Sequence, residues 1–428
     1  MAVKKPVSVT IRTYAVGFGD CFLLSFQYPG QEKHVLVDFG STAVPKDAPK
    51  NQLLLIAKDI AAVTGGKLHG LVATHRHADH ISGFATNAKG TAPGDIIRAL
   101  KPDVVVQPWT EDPKAQQKAK KATQTVQSGP AKLRALAALE GMHEVARAAE
   151  AAGKSLREVV GEQVAGQLSF IGEDNVKNLS AVKNLMGMSK RAYVNAGSKS
   201  GLERVLPGVK IHVLGPPTLE QTETIKQQRS RDDDEFWQFW RRQGLATTSA
   251  LSQGKALFPR DVATVTPPSL RWFRKRLGSV YGDELLQLVT MLDNAMNNTS
   301  VILLFEAGTK RLLFPGDAQI ENWEYALSQP KNQKLLAGTT LYKVGHHGSL
   351  NATPKNLLWP LFKNKSKTKS AKRLLTLLST REDKHGHIET DTEVPRSTLL
   401  KELKSKSTLL STLDYRKNEL CRLTVVKF

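Results

Sequence analysis

The sequence Leu71-Val72-Ala73-Thr74-His75-Arg76-His77-Ala78-Asp79-His80 places three histidines and an aspartate directly after a short apolar run. The apolar run predicts a buried strand, so the histidines lie where a strand ends and a loop or helix begins. Neutral imidazoles and carboxylates are ligands for divalent transition metals. The spacing therefore predicts a metal site at this strand end. The alternative is a chance histidine cluster on a solvated loop.

Three further apolar strands also end in histidine or aspartate side chains. These residues are Asp38 after His34–Val37, Asp317 after Arg311–Phe314, and His346 and His347 after Leu341–Val344. Ligands in open α/β sheets gather at the carboxyl ends of strands. A two-metal hydrolytic centre explains all four strand ends, with Asp317 between the ions and a metal-activated water as the nucleophile.

Hydrophobic patterns divide the chain into strand-rich and helix-rich parts. They predict a helix at Asn51–Ala62 and strands at Val7–Val16, Cys21–Phe26, His34–Val37, Leu71–Thr74, Val104–Val106, Val209–Leu214, Ser300–Phe305, Arg311–Phe314, Thr340–Val344, Leu374–Leu378 and Leu423–Phe428. The stretches between the strand-rich parts are polar and have helical composition. We therefore predict one α/β domain built from residues 1–110 and 205–428, with helical insertions at 111–204 and 218–295.

Composition limits the class of protein. The 428 residues include 61 Lys and Arg against 40 Asp and Glu, a net charge of +21. This charge favours a polyanionic partner, with mere solubility as the alternative. Two cysteines exclude a disulfide framework and favour a reducing compartment. No apolar run approaches the ~20 residues of a membrane span, and the N-terminus lacks a signal-peptide core. We expect a soluble, cytoplasmic protein.

These motifs together resemble the metallo-β-lactamase superfamily. The finer resemblance is to the soluble hydrolase domain of ComEC-type DNA-uptake proteins. It rests on Gly17–Leu24, Val213–Pro217, Asn297–Leu304, Leu312–Asp317 and Lys343–Ser349, which follow in the same order. The resemblance covers residues 1–110 and 205–400. It implies an αββα sandwich, here with two helical insertions, and a metal-dependent hydrolase. The polytopic membrane region of the DNA-uptake proteins is not matched.

The resemblance implies a centre for two divalent ions, Zn²⁺ or Mn²⁺. One ion would be held by His75, His77 and Asp317. The other would be held by Asp79, His80, Asp317 and one residue of the His346/His347 pair. We assign ligation to His346 and a catalytic role to His347, beside Asp79, His80 and Asp317, although the sequence does not decide between the two histidines. Asp38 would orient a ligand histidine.

One position departs from the superfamily pattern. A histidine usually precedes the strand before the bridging aspartate, and here Asn297 or Asn298 takes that place. Asparagine is a weaker oxygen ligand, so the first site would be looser or would take Mn²⁺ more readily than Zn²⁺. His212 would either substitute as a ligand or pack in the core. His387 would lie at the rim of the site or in a polar loop.

Basic segments suggest the substrate. Lys363, Lys365 and Lys367 lie in a basic run that extends to Arg373, and Lys114–Lys121 and Arg271–Arg276 add charge to the insertions. Basic residues beside aromatic ones suit a nucleic-acid backbone with stacked bases. We expect Lys363, Lys365, Lys367 and Ser349 to contact substrate, although Ser349 would equally cap a helix.

We therefore predict a nuclease or phosphodiesterase that acts on DNA or RNA. A hydrolase of small esters, lactones, thioesters or phosphoesters is the first alternative. A binding module that has lost its chemistry is the second, because a fold alone does not fix function.

Overall fold

A computed structural model describes residues 5–112, 179–188, 190–218, 220–222, 297, 299–349, 353–382, 384 and 393–428. The chain divides into two compact units. The first consists of Met1–Val126, Ser180–Thr222 and Met296–Phe428, and the second of Gln127–Leu179 and Glu223–Ala295. Apart from Leu179, the second unit lies outside the described residues. The division into a catalytic domain and two helical insertions therefore stays a prediction.

The first sheet is mixed. Its strands are β1 (Ser8–Tyr14), β2 (Cys21–Tyr28), β3 (Gln31–Phe39), β4 (Gly70–Val72), β5 (Val104–Pro108), β6 (Arg191–Val194) and β13 (Cys421–Lys427), in the spatial order β13-β1-β2-β3-β4-β5-β6. Strands β3 to β6 run parallel, and the register pairs Val37 with Val72. Asp38 and Thr74 consequently leave the sheet at the same edge.

The second sheet is also mixed, with parallel and antiparallel strands. Its strands are β7 (Lys210–Gly215), β8 (Ile302–Ala307), β9 (Lys310–Phe314), β10 (Leu341–Lys343), β11 (Leu375–Leu378) and β12 (Thr408–Ser411), in the spatial order β12-β11-β10-β9-β8-β7. Strands β9 to β12 run parallel, and Leu341 pairs with both Leu312 and Leu375. The loops that follow β9, β10 and β11 therefore leave at a common edge.

Helices flank the sheets. The described ones are α1 (Gln52–Val63), α2 (Ala78–Ile81), α3 (Pro93–Ala99), α4 (Leu179–Gly187), α5 (Leu202–Val205), α6 (Ile320–Ser328), α7 (Pro330–Ala337) and α8 (Ser397–Lys406). In α6, Trp323, Ala326 and Leu327 form one buried face at helical spacing. This face joins the apolar cluster that covers one side of the second sheet, together with Leu336 of α7 and Leu403 of α8. None of the described helices is long and apolar enough to cross a membrane.

The main core lies between the two sheets. Phe22 of β2 packs edge-on against Phe314 of β9 with ring centroids 5.7 Å apart, and Phe26 lies 6.1 Å from Phe305 of β8. All four rings are buried. Burying a side chain of this size contributes roughly 1.5–3 kcal/mol. Two sheets with flanking helices confirm the predicted α/β class and are consistent with an αββα sandwich.

Two strands were not anticipated from the sequence. Strand β6 lies in a stretch of helical composition and β12 follows directly after α8, and each is an edge strand of its sheet. Three of the four residues of each strand are partly or fully exposed. The other two edge strands, β7 and β13, have six and seven residues and were predicted, whereas β6 and β12 have only four residues each. A partly exposed segment of four residues is too short to show a clear apolar or alternating pattern.

Candidate metal centre

In the loop after β4, the two histidines are buried side by side, whereas the arginine between them pairs with a glutamate. His75 and His77 are buried, and their ring centroids lie 4.8 Å apart. Arg76 between them donates two hydrogen bonds to Glu111, 2.8 Å from Nε to Oε1 and 2.7 Å from Nη2 to Oε2. Such a bidentate pair has a well-defined geometry, so it anchors the loop with both imidazoles in place.

Asp79 and His80 follow on the short helix α2. The end of β3 passes directly against this helix at Gly40. A Cβ atom at Gly40 would lie 2.4 Å from the Ala78 carbonyl oxygen and 2.5 Å from the His80 nitrogen, so a larger residue does not fit. The Asp20 amide donates to the Asp79 carbonyl at 2.8 Å and closes the helix from the other side.

Asp38 orients the His80 ring. Its Oδ2 lies 2.8 Å from His80 Nδ1, while the Thr74 amide and hydroxyl donate to its two oxygens at 2.7 and 2.8 Å. Its backbone has φ +54°, a conformation that is uncommon outside glycine and clusters at functional sites. The Nδ1 proton is thereby committed to Asp38, and His80 Nε2 lies 3.0 Å from Asp317 Oδ2.

His347 is oriented in the same manner. Its Nδ1 donates to the Ser379 carbonyl at 3.0 Å, and its Nε2 lies 2.8 Å from Asp79 Oδ2. The Phe18 ring packs against it with centroids 4.3 Å apart. His347 is fully buried, and its φ of +50° again lies in the left-handed region.

His346 points its ring elsewhere. It is partly exposed, and its backbone amide donates to Asp317 Oδ1 at 2.9 Å. The geometry therefore favours His347 over His346 as the ligand, which differs from the assignment made from the sequence. His347 is fully buried and belongs to a ligand group, whereas His346 is partly exposed and belongs to none.

Three buried groups of ligand atoms result. Each residue of a group contributes one ligand atom, and these atoms all lie within 4.8 Å of one another. The groups are Asp79/His80/Asp317/His347, His75/His77/Asp79 and Asp20/Asp38/His80. Ligand atoms about 2.1 Å from one ion lie about 3 Å apart, close to the 2.8 and 3.0 Å separations seen here.

The donor set fits divalent ions. Asp79 Oδ1 is buried and has no hydrogen-bond partner among the described residues, and the buried atoms His80 Nε2 and Asp317 Oδ2 have no partner there besides each other, 3.0 Å apart. Buried polar atoms are normally satisfied, and each orphan costs about 1–3 kcal/mol. Divalent cations would supply the missing partners. Ligation by these residues, and the number and kind of ions, stay predictions.

Without a metal ion, the carboxylates and histidines of the centre stabilise each other's charges. Burial opposes protonation of His80 and His347, but the charge of Asp317 outweighs it and raises the pKa of both rings, so a metal ion would have to displace a proton from each of them. Burial opposes ionisation of Asp317, but the charges of His80 and Lys343 outweigh it and hold its pKa well below the ordinary value. The pKa of Asp79 is lowered in the same way by His80 and His347. Burial, reinforced by His80 and His77, lowers the pKa of His75 and keeps it neutral, which is the form that binds metals.

Asp20 and Lys343 form a buried ion pair below the ligands, and no role was predicted for either. Lys343 is 1% exposed and pairs with Asp20 Oδ2, while its Nζ lies 3.3 Å from Asp317 Oδ1. Burial opposes its charge, but Asp20 and Asp317 raise its pKa above the ordinary value. Asp317 Oδ1 is thus held by Lys343 and the His346 amide, and Oδ2 faces His80. In the sequence, the position of Lys343 at the end of an apolar strand was the feature that could have indicated a buried charge.

The other predicted site residues are not part of the three ligand groups. Asn297 is buried, and its Oδ1 has no hydrogen-bond partner among the described residues. His212 is partly buried, and its Nε2 lies 3.8 Å from Glu306 Oε2. It belongs to none of the three groups. The Ser349 amide donates to the His346 carbonyl at 2.8 Å. Asn298 and His387 lie outside the described residues, as do the basic segments of the insertions.

The lysines predicted to contact substrate lie elsewhere. Lys363, Lys365 and Lys367 precede β11, whereas His347 contacts Ser379, which follows it. The four residues of β11 span about 13 Å, so the lysines sit at the opposite ends of the strands from the ligands. Lys365 is also engaged, with Nζ 4.9 Å from the centroid of the Trp359 ring. The sequence showed that the run adjoins a strand but not at which sheet edge.

Comparison with known proteins agrees with the site. No curated protein matches the chain. The family model of the metallo-beta-lactamase superfamily matches residues 14–149, a range that contains Asp38 and the whole histidine loop. Residues 14–149 are therefore similar to the metallo-beta-lactamase superfamily, whose members are mostly metal-dependent hydrolases that bind divalent ions, often zinc.

Proposed function

We propose that the protein is a metal-dependent phosphodiesterase that cleaves DNA or RNA, resembling the hydrolase domain of ComEC-type proteins. The observation that carries the proposal is the buried convergence of Asp79, His80, Asp317 and His347. Carboxylates and neutral imidazoles in this arrangement are the ligand set of hydrolytic metal centres.

The ligands have distinct tasks in this proposal. His75, His77 and Asp317 would hold one ion, and Asp79, His80, His347 and Asp317 would hold the other. When bound, the ions lower the pKa of a water and stabilise the charge that develops on the phosphate.

The surrounding residues fix protons and charge. Asp38 holds the proton on His80 Nδ1, and the Ser379 carbonyl holds the proton on His347 Nδ1, so both Nε2 atoms face the ligand group. Lys343 offsets part of the negative charge of Asp20 and Asp317. The partly exposed ring of His346 lies 6.3 Å from that of His347, and we assign it the role of donating a proton to the leaving oxygen.

Net charge supports a polyanionic substrate. At +21 the chain attracts phosphate backbones, and neutralising phosphates with lysine and arginine is the main source of nucleic-acid affinity. A small-ester or phosphoester hydrolase is the competing function, because the centre would stabilise the oxyanion of either reaction.

A cleavage panel tests the proposal. The full chain is assayed with Zn²⁺, Mn²⁺ or Mg²⁺ on single- and double-stranded DNA and RNA, beside small esters and lactones. We expect polynucleotide cleavage that Asp79→Ala and His80→Ala lower at least about a hundredfold. His212→Gln is the matched control, a histidine outside the ligand groups, and should be unaffected. Turnover of small esters alone, or no turnover at all, would contradict the proposal.

A further inference from the structure

The candidate ligands of the metal centre come from both sheets. The first sheet, through the loop after β4 and helix α2, supplies His75, His77, Asp79 and His80. The second sheet, through the loops after β9 and β10, supplies Asp317 and His347. The buried ion pair between Asp20 and Lys343 joins these two halves.

Asp20 belongs to the first half and is tied to its ligand helix. The Asp20 amide donates to the Asp79 carbonyl at 2.8 Å, and the Asp20 carbonyl accepts from the Gly40 amide at 3.0 Å. Its backbone is thereby fixed to α2 and to the segment that follows β3. The side chain is 0% exposed and directs Oδ2 at the ammonium of Lys343.

Lys343 belongs to the second half, as the last residue of β10. An ammonium has three donors, and three acceptors surround this one. They are Asp20 Oδ2, the Gly316 carbonyl oxygen at 3.2 Å and Asp317 Oδ1 at 3.3 Å. The ammonium therefore holds both the backbone and the carboxylate of the loop that carries Asp317.

These contacts decide which oxygen Asp317 presents to the other ligands. Oδ1 accepts from Lys343 and from the His346 amide, the latter at 2.9 Å. Oδ2 lies 3.0 Å from His80 Nε2 and 3.8 Å from His347 Nε2. A rotation that turned Oδ1 toward the histidines would break both of its hydrogen bonds. Oδ2 alone therefore faces the ligand group.

The same ammonium keeps Asp20 out of the ligand set. The Asp20 carboxylate lies 3.7 Å from His80 Nδ1 and 3.8 Å from His347 Nδ1, and it belongs to one of the three groups of ligand atoms. A cation that is paired with this carboxylate repels a divalent ion from it.

We propose that Lys343 is a positioning residue of the metal centre. Held by Asp20, it fixes Asp317 with Oδ2 toward the ions and sets the span between the ligands of the two sheets. The inference rests on the proposed function for the existence of a metal centre, and it is independent of the substrate. In this role Lys343 acts through Asp317 and touches neither ion nor substrate.

Charge and position predict opposite results when Lys343 is replaced. Loss of a nearby positive charge alone would tighten the binding of a divalent ion. Loss of the group that orients Asp317 would weaken it, by about 10- to 100-fold for a partner of a metal ligand. Combining Lys343→Met with Asp20→Asn leaves the net charge of the pair unchanged, so this double variant reports position alone.

Metal binding is measured on the full chain after removal of metal with EDTA. Competition of Zn²⁺ or Mn²⁺ with a chelating dye gives the affinities, and the absorption spectrum of the Co²⁺-loaded protein reports the coordination geometry. We expect the double variant to bind at least one ion about 10- to 100-fold more weakly than the wild type and to change the Co²⁺ spectrum.

Phe26→Ala is the matched control for lost stability. Phe26 is buried between the sheets and lies five residues along β2 from Cys21, about 17 Å from the end of the strand that adjoins Asp20. Removing its ring destabilises the core but leaves the ligands in place. Its affinities and Co²⁺ spectrum should equal those of the wild type.

The outcomes separate this role from the proposed function. A double variant with wild-type affinities and spectrum overturns the positioning role, as does an equal loss of metal in Phe26→Ala. If the double variant does not fold, Lys343→Gln takes its place, and tighter binding would show that the residue acts by charge alone. A wild type that takes up no divalent metal contradicts the proposed function instead.

Discussion

The buried lysine below the metal ligands gives a quantitative prediction. Lys343→Met removes the ammonium between Asp20 and Asp317 at similar side-chain volume. Lys343 is 1% and Asp20 0% exposed, so water cannot replace the lost partner. Removing one member of a buried ion pair costs about 3–5 kcal/mol. We expect the free energy of unfolding of the metal-free protein to fall by about that amount.

A double-mutant cycle identifies the cause. Urea unfolding in EDTA is measured for the wild type, Lys343→Met, Asp20→Asn and the double variant. Lys343→Met leaves the Asp20 carboxylate with only the more distant His80 and His347 rings, at 3.7 and 3.8 Å. Neutralising Asp20 should therefore restore part of the stability, with a coupling energy of about 2 kcal/mol or more. Additive effects within about 0.5 kcal/mol would refute the buried ion pair.

Three other perturbations follow from the structure. Burial lowers the pKa of His69 to about 4. Between pH 6.5 and 4 the unfolded chain therefore binds the extra proton, and stability should fall by about 1 kcal/mol as pH drops, after allowance for a partly exposed ring. His69→Asn should lose that component of the pH dependence in urea unfolding, and an unchanged profile would contradict it. Asp38→Asn should weaken metal affinity about 10- to 100-fold, measured by competition with a chelating dye, because His80 loses its orienting partner; unaltered affinity would deny Asp38 that role. Combined Lys363→Ala and Lys367→Ala should leave metal content and kcat unchanged, and a large fall in kcat would place these lysines at the active site after all.

The sequence predicted those features that depend on local pattern. Continuous apolar runs such as Ser300–Phe305 identified central strands, because a strand buried on both faces has no polar positions. The histidine loop was recognisable because its ligands are adjacent in the chain. The four-residue edge strand β6 was missed, since a short and partly exposed segment leaves no such run.

Features that depend on register were beyond the sequence. His346 and His347 are neighbours of identical chemistry, and only the folded structure shows that His347 is the buried one. Lys343 and Asp20 are far apart in the chain and meet only across the two sheets. The basic run adjoins a buried strand, but the direction of β11 places it away from the ligands.

Metal analysis of the purified full chain and two histidine variants tests the central claim most directly. The wild type should contain two equivalents of divalent metal per chain. His347→Ala should lose a large part of that metal, while His346→Ala, its neighbour in sequence, should keep it. A wild-type protein that takes up no divalent metal, or metal loss on substitution of His346 and not of His347, would contradict the metal centre described above.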